Sequence, residues 1–312
     1  MPMFSGCAII TTYRCNAKCK MCSRWQHQSR IDEEFEPELI LKLPHMHFIN
    51  ITGGEPFLRD DIMEIVEYAH KKADRVVIST NGSTTDKILS VMSVFPKTGL
   101  RISIEGLPKT NDDIRGIPSG YEKAKETLKK LSELGCTDIG ISMTISDGNY
   151  QDALPLYKLC QEKGYQFATG ITHNSFFFES YTNEIKKVNE ISQVLQELAD
   201  EMRKSGSLKT KYRAIFNEEL IRRVNGQPIS FPCKCGSHFF AITPYGDMVA
   251  CLGSEQPIQM GNLKEKDFWT IYESKKSQIA RKQVDHCTRN CCMSGNVAGE
   301  MKRSAIQLIR KL

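Results

Sequence analysis

The sequence predicts an α/β protein, an open, partial (β/α)6 barrel of TIM-like design followed by a small cysteine-rich C-terminal domain. Three observations carry this. Strand-like and helix-like runs alternate from the start to about residue 225. The strand-like runs are short, rich in Ile, Val or Phe, and bounded by Gly, Asn or Asp. At Phe231-Pro232-Cys233 the texture changes to a cysteine-rich segment that runs to about Val297, which divides the chain into 1–229 and 230–312.

The expected strands are Cys7–Tyr13, His47–Thr52, Arg75–Thr80, Leu100–Glu105, Asp138–Ile145 and Tyr165–Gly170. Between them lie the amphipathic stretches Glu36–Leu43, Asp60–Lys72, Thr85–Val94, Tyr121–Leu134 and Gln151–Lys163. Such units in series imply a parallel sheet with right-handed crossovers. Six are too few to close an eight-stranded barrel, and the site is expected at the C-terminal ends of the strands. Two more helices, near Glu184–Lys204 and Lys211–Asn225, follow without an intervening strand. Phe239–Ala250 reads as a hairpin turning at Tyr245-Gly246-Asp247, with a helix-like stretch over Lys266–Lys282 beyond it.

A hydrophobic fraction of 40% and a charged fraction of 25% describe a globular, water-soluble chain. No apolar run reaches the length of a membrane span, and Met1-Pro2-Met3-Phe4 lacks the basic start of a signal peptide, so the expected location is cytoplasmic. Twelve cysteines in that compartment argue for metal or redox use rather than disulfides. The net charge of +5 is spread over solvated helix faces and gives no basis for a nucleic-acid partner.

The chemistry begins at CNAKCKMC. Cys15, Cys19 and Cys22, on the loop leaving the first strand, can hold three corners of a 4Fe-4S cluster and leave the fourth iron open. A structural zinc knot is the plainer alternative, but zinc sites usually pair two closed CxxC or CxxH halves, and these eight residues pack a third thiol and contain no His. CX3CX2C after a first strand resembles the radical S-adenosylmethionine (AdoMet) superfamily. The resemblance implies an open iron that binds the amino and carboxylate groups of AdoMet. It also implies one-electron cleavage to methionine and a 5′-deoxyadenosyl radical, with a flavodoxin- or ferredoxin-like protein as electron donor.

Four further segments fit that resemblance. Gly53-Gly54-Glu55-Pro56 follows the second strand and is similar to the family's motif for the AdoMet amino group, implicating Gly53, Gly54 and Glu55. Ser79-Thr80-Asn81-Gly82 ends the third strand, where the family has a cofactor-facing segment, implicating Ser79 and Asn81. Ser103 and Glu105 share one face at the end of the fourth strand. With Ile114-Arg115-Gly116 they resemble the family's "SIDG … IRG" passage, which implies Ser103 and Glu105 at the ribose hydroxyls and Arg115 at the methionine carboxylate. Thr144 is a candidate for the adenine site, and His173, after the sixth strand, for a catalytic base.

The C-terminal segment resembles the SPASM/twitch auxiliary-cluster domain. Cys233, twelve residues, Gly246, four residues and Cys251 satisfy its opening pattern. The later cysteines depart from the full two-cluster pattern: Cys287 and Cys291 are one residue wider than CX2C, and Gly295 stands where relatives often have Cys. One auxiliary 4Fe-4S cluster is therefore expected, on Cys233, Cys251, Cys287 and Cys291, with Cys235 or Cys292 as alternative ligands. Cys7, Cys136 and Cys160 are expected in the core.

The expected function is radical abstraction of a hydrogen from a small substrate, a sugar or aminocyclitol, with oxidation set ahead of epimerisation. Cys235 and Cys292 are each expected as a spare ligand, with hydrogen donor in an epimerisation as the alternative. A peptide-modifying maturase is the alternative, set second because the first strand begins almost at Met1, where maturases often carry a peptide-binding wing. A molybdopterin-precursor cyclase is set aside because the chain ends Ile-Arg-Lys-Leu rather than Gly-Gly. A non-catalytic zinc or iron–sulfur binding protein is the reading from another class.

Overall fold

Among the described residues nine strands form one sheet in the order β6-β5-β4-β3-β2-β1-β7-β8-β9. The computed structural model describes residues 4–293, 295, 297 and 299–301, so the closing Ile-Arg-Lys-Leu lies outside the described residues. The first six strands are β1 (Gly6–Ile10), β2 (Met46–Thr52), β3 (Ala73–Thr80), β4 (Gly99–Ser103), β5 (Ile139–Ile145) and β6 (Gln166–Ile171). All pair in parallel with their sequence neighbours, as the alternating pattern requires. The helices α1 (Ile62–Lys72), α2 (Thr85–Val94), α3 (Pro108–Arg115), α4 (Gly120–Glu133) and α5 (Ala153–Lys163) supply the crossovers after β2 to β5. Two longer helices, α6 (Val188–Arg203) and α7 (Leu208–Val224), follow β6.

The hairpin is an extension of this same sheet. β7 (Phe239–Ile242) pairs in parallel with β1, setting Ala8 against Ala241 and Ile9 against Ile242. β8 (Asp247–Val249) and β9 (Gln259–Asn262) then add antiparallel. Every residue of β1, Gly-Cys-Ala-Ile-Ile, is buried, as a strand flanked and covered on all sides must be. The packing continues across the junction, where Phe4 meets Phe240, Phe268 and Tyr272 with ring centroids 5.1–5.6 Å apart, all edge-on.

Several elements differ from expectation. The stretch around residues 36–43 forms a six-residue 3-10 helix, Pro37–Lys42, with Leu39 and Ile40 buried, rather than an α-helix. β1 stops at Ile10 because Thr12 turns its hydroxyl to the Glu34 carboxylate instead of continuing the strand. The stretch expected as one helix over Lys266–Lys282 is two, α8 (Phe268–Glu273) and α9 (Lys275–Asp285). Ser274 is extended between them, and its hydroxyl accepts from the Ser277 amide as the cap of α9. Cys7, Cys136 and Cys160 lie in the hydrophobic core. Among the described residues no helix is long and apolar enough to cross a membrane.

Candidate active site: two cysteine sets and a neutral cavity

The loop carrying the first cysteine set is held from three sides. Behind it, α3 ends beside the loop, and the Lys18 and Lys20 amides donate to the Arg115 and Ile114 carbonyls at 3.0 and 2.9 Å. Gly116 closes α3 in the left-handed region at φ 62°, and a Cβ there would stand 2.8 Å from the Lys18 carbonyl, so the glycine of Ile-Arg-Gly serves this contact. Beneath the loop, the Gly54 and Glu55 amides donate to the Thr12 and Arg14 carbonyls, both at 2.8 Å. On the third side Arg24 lies 4.0 Å over the Tyr13 ring and donates to the Phe176 and Phe177 carbonyls of the segment after β6.

Of the residues expected to hold AdoMet, four are hydrogen-bonded to other protein groups: Glu55, Asn81, Ser79 and Glu105. Glu55 is fully buried and accepts from the Thr80 hydroxyl at 2.7 Å and the Asn81 amide at 2.6 Å. Asn81 in turn donates to Asn16, the residue after Cys15, at 2.7 Å. Ser79 donates to Asn50 at 3.1 Å. Glu55 and Asn81 thus brace the second and third strand ends against the cysteine loop. Glu105, also buried, accepts from the Thr144 amide at 2.6 Å and from Arg115 at 3.2 Å. Ser103 ends β4 level with Ser142 of β5.

Arg115 is the electrostatic centre. Burial pulls its pKa down, but Cys19, Glu105, Cys15 and Glu55 outweigh this and hold it above the ordinary guanidinium range. Its Nε is buried without a hydrogen-bond partner, an open donor suited to an anionic group. The three thiols are pushed up by burial, Cys15 to about 12 and Cys22 to about 11, with Cys19 moving the same way. In the bare chain they stay protonated, and iron must displace those protons.

The second set surrounds a cavity of about 420 Å³ lined by Cys233, Cys251, Cys287 and Cys291. Gly253 keeps it open, since a Cβ there would stand 3.3 Å from the Cys291 sulfur and 3.7 Å from that of Cys251. Cys235 is buried behind the cavity and is hydrogen-bonded to Cys233 and Cys251. Its hydrogen bond and the Gly253 amide at 3.1 Å, outweighing burial, lower Cys251 to about 6. Among the described residues no three His, Cys, Asp or Glu side chains converge on a point that one metal ion could fill. A cluster makes a different demand, thiolates spread over separate irons, and both cysteine sets suit it.

Between the two sets lies a second cavity of about 150 Å³, under the ends of β5 and β6. Its polar lining comes from Ser142, Thr144, Thr169, Thr172, His173 and Asn183, and no Asp, Glu, Lys or Arg lines it. His173 Nδ1 stands 3.3 Å from the Ile171 carbonyl, while Nε2 is buried without a partner. Burial and the nearby Arg223 lower its pKa to about 4, so the ring is neutral at pH 7 and Nε2 is the acceptor. The Thr172 hydroxyl is also buried and unpartnered. Thr172, Asn183 and Arg24 carry no spacing signal in the sequence; only the fold brings them to the site. Cys292 lines this cavity and not the other, apart from Cys233, Cys251, Cys287 and Cys291.

Comparison with known proteins places this geometry. The model of the radical SAM superfamily matches residues 9–160, and that of SPASM, an iron–sulfur cluster-binding domain, matches residues 233–293. The chain belongs to the radical SAM superfamily and carries a SPASM domain. Membership supplies the cofactors: a 4Fe-4S cluster with AdoMet in the first domain and auxiliary iron–sulfur in the second. The radical SAM chain is similar to an Fe-coproporphyrin III synthase of Methanosarcina barkeri, 32% identical over 49% of this chain and 40% of that protein. It is also similar to an AdoMet-dependent heme synthase of Nitratidesulfovibrio vulgaris, 24% identical over 95% of this chain and 87% of that one. The chain thus spans about 40% of the length of the first curated relatives it matches. In fold it resembles anSMEcpe, solved with bound AdoMet and Cp18Cys peptide, with a TM-score of 0.65 at 16% identity over 97% of this chain and 95% of that one.

Proposed function

We propose that this radical SAM protein is an enzyme that removes a hydrogen atom from a small, uncharged, hydroxyl-bearing substrate of the sugar or cyclitol class. The observation that carries this is the lining of the central cavity: four Ser and Thr hydroxyls, a neutral histidine and an amide, with no side chain of either charge. A porphyrin's propionates would need cations there, and an amino group would favour a carboxylate. The volume equals that of about five waters, enough for part of one ring and its hydroxyls.

Cys15, Cys19 and Cys22 hold the cluster with the open iron, and Arg115 receives the AdoMet carboxylate at its free Nε. The second thiol set, Cys233, Cys251, Cys287 and Cys291, holds the auxiliary cluster. Bound there, AdoMet supplies a 5′-deoxyadenosyl radical after one electron arrives from a flavodoxin- or ferredoxin-like donor. The chain's own residues hold the target carbon: Thr144, Thr172 and Asn183 pair with substrate hydroxyls, and His173 Nε2 accepts from the one nearest the reacting carbon. Desolvation in this cavity strengthens each of those hydrogen bonds.

The test uses anaerobically reconstituted enzyme with AdoMet and dithionite, offered myo-inositol, a methyl glucoside, a Ser-containing peptide or coproporphyrin. A neutral polyol should stimulate 5′-deoxyadenosine formation, and a deuterium on its carbon should appear in that product. Transfer from the peptide alone would replace the polyol reading with peptide modification. Absence of AdoMet cleavage under every condition would remove the enzymatic reading.

A further inference from the structure

Cys291 and Cys292 are adjacent in the chain but open onto different cavities. Cys291 faces the auxiliary cavity, near Cys251, Cys233 and Cys287. Cys292, 5% exposed, lines the central cavity beside Thr172 and His173. One peptide unit therefore forms part of the wall between the two spaces. The central cavity also has unmet polar capacity, because the buried hydroxyl of Thr172, a residue 7% exposed, and His173 Nε2 both lack partners. A ligand carrying hydrogen-bonding groups satisfies them. The two other sulfurs lining the space, Met21 and Met293, are thioethers with no hydrogen on sulfur. Cys292 alone among the lining residues offers a thiol.

We propose that Cys292 is the hydrogen-atom donor to radicals formed in this cavity, which makes the reaction redox-neutral at the substrate, an inversion of a carbon centre rather than an oxidation. The assignment rests on the function proposed above. An S–H bond is weaker than the C–H bond of a polyol, so transfer from sulfur to a carbon radical runs downhill. The substrate C–H gives its hydrogen to the adenosyl carbon, forming 5′-deoxyadenosine and a substrate carbon radical. Cys292 then gives its hydrogen to that carbon, a new C–H bond replaces the S–H bond, and the unpaired electron resides on sulfur. One electron from a low-potential carrier of the iron–sulfur or reduced flavin class and one proton from solvent restore the thiol. The position beside Cys291 suits this last step, since the sulfur to be reduced neighbours the thiol set of the auxiliary cluster.

The test needs no substrate. Holoenzyme is incubated with AdoMet and dithionite in deuterium oxide, in buffer free of added thiols. The adenosyl radical, with nothing else in the cavity, takes deuterium from the exchanged thiol, and the parent should yield 5′-deoxyadenosine carrying one deuterium. C292A and C292S should lose at least about tenfold of that label, while C136A, altered in the core, should match the parent. Iron and sulfide per chain are measured alongside. C292A should keep the parent's content, whereas C251A should lose the auxiliary share. Label that survives in C292A, unlabelled product from the parent, or loss of auxiliary iron in C292A each overturns the donor assignment alone. A parent that forms no 5′-deoxyadenosine overturns the functional reading and this assignment with it.

Discussion

Arg14 and Glu34 meet in a two-point pair, Nε to Oε1 at 3.0 Å and Nη2 to Oε2 at 2.9 Å, one residue before Cys15. Glu34 also accepts from Arg59 at 3.1 Å and from the Ser29 hydroxyl at 2.6 Å, with its side chain 1% exposed. Burial pushes the Glu34 carboxyl up, and Arg14, Ser29 and Thr12 outweigh it, holding it below the usual range. The carboxylate fixes the direction in which the chain leaves β1 towards Cys15.

Glu34→Ala should therefore cost about 2–3 kcal/mol, since it takes the carboxylate from the half-buried Arg14 and one of two carboxylates from the buried Arg59, which keeps Asp61. It should also reduce the iron bound by the first set while leaving the fold intact by circular dichroism. Chemical denaturation and iron analysis check both, and normal iron loading would separate Glu34 from the loop's geometry.

Asp138 joins Arg101, Arg75 and Lys209 at 2.6, 2.6 and 2.9 Å, at the foot of the barrel opposite the site. Burial raises its pKa, but the Arg101 charge and its partners outweigh this and keep the carboxyl well below its usual range. Asp138→Asn should destabilise the protein by about 2–4 kcal/mol and leave cluster content unchanged. Because the folded pKa is depressed, the contribution is present above the unfolded value near 3.8 and fades as pH falls below it. Denaturation curves at pH 7 and pH 3 should show the gap between parent and variant narrowing.

His173 gives the opposite kind of group the same sign. Its folded pKa of about 4 lies below the unfolded 6.5, so the unfolded chain binds the extra proton. Stability should be full above pH 6.5 and decline as pH falls towards 4. His173→Gln should flatten that slope, seen as a smaller drop in Tm between pH 7 and pH 5. An unchanged slope would mean that the ring is hydrated and charged in the folded protein.

Gly253→Ala places a methyl between the Cys291 and Cys251 sulfurs and within 3.1 Å of the Met293 sulfur. Auxiliary iron should fall by at least half while the first cluster, held on a different loop, is retained. Iron, sulfide and electron paramagnetic resonance of the reduced protein report the two sites separately.

The first six strands were legible because short runs rich in Ile, Val or Phe stand between turn formers, with β6, Gln-Phe-Ala-Thr-Gly-Ile, the most diluted of them. β9 was not, because Gln259-Met260-Gly261-Asn262 contributes one large apolar side chain and is a strand only by its pairing with β8. The break at Ser274 is equally silent, since the helix formers Glu273 and Lys275 flank it and the capping hydroxyl is recognisable only once the kink is seen. Cys15, Cys19 and Cys22 stand out by their local spacing, whereas Cys233, Cys251, Cys287 and Cys291 are expected only through the resemblance to the SPASM/twitch pattern. The opposite facing of Cys291 and Cys292, and the reach of Glu34 back to Arg14, depend on tertiary packing that spacing does not encode.

β1 belongs to two neighbourhoods at once, matching Ile49 and Ile51 of β2 along one edge and Phe240 and Ile242 of β7 along the other. That shared strand limits how this protein can exchange parts with its relatives. A foreign C-terminal segment grafted after α7 would meet a first strand shaped for a different partner. It would also leave Phe4 without the ring it packs against on β7. A graft should fold only when β1 and β7 are taken from the same source, although more than two hundred residues separate them in the chain.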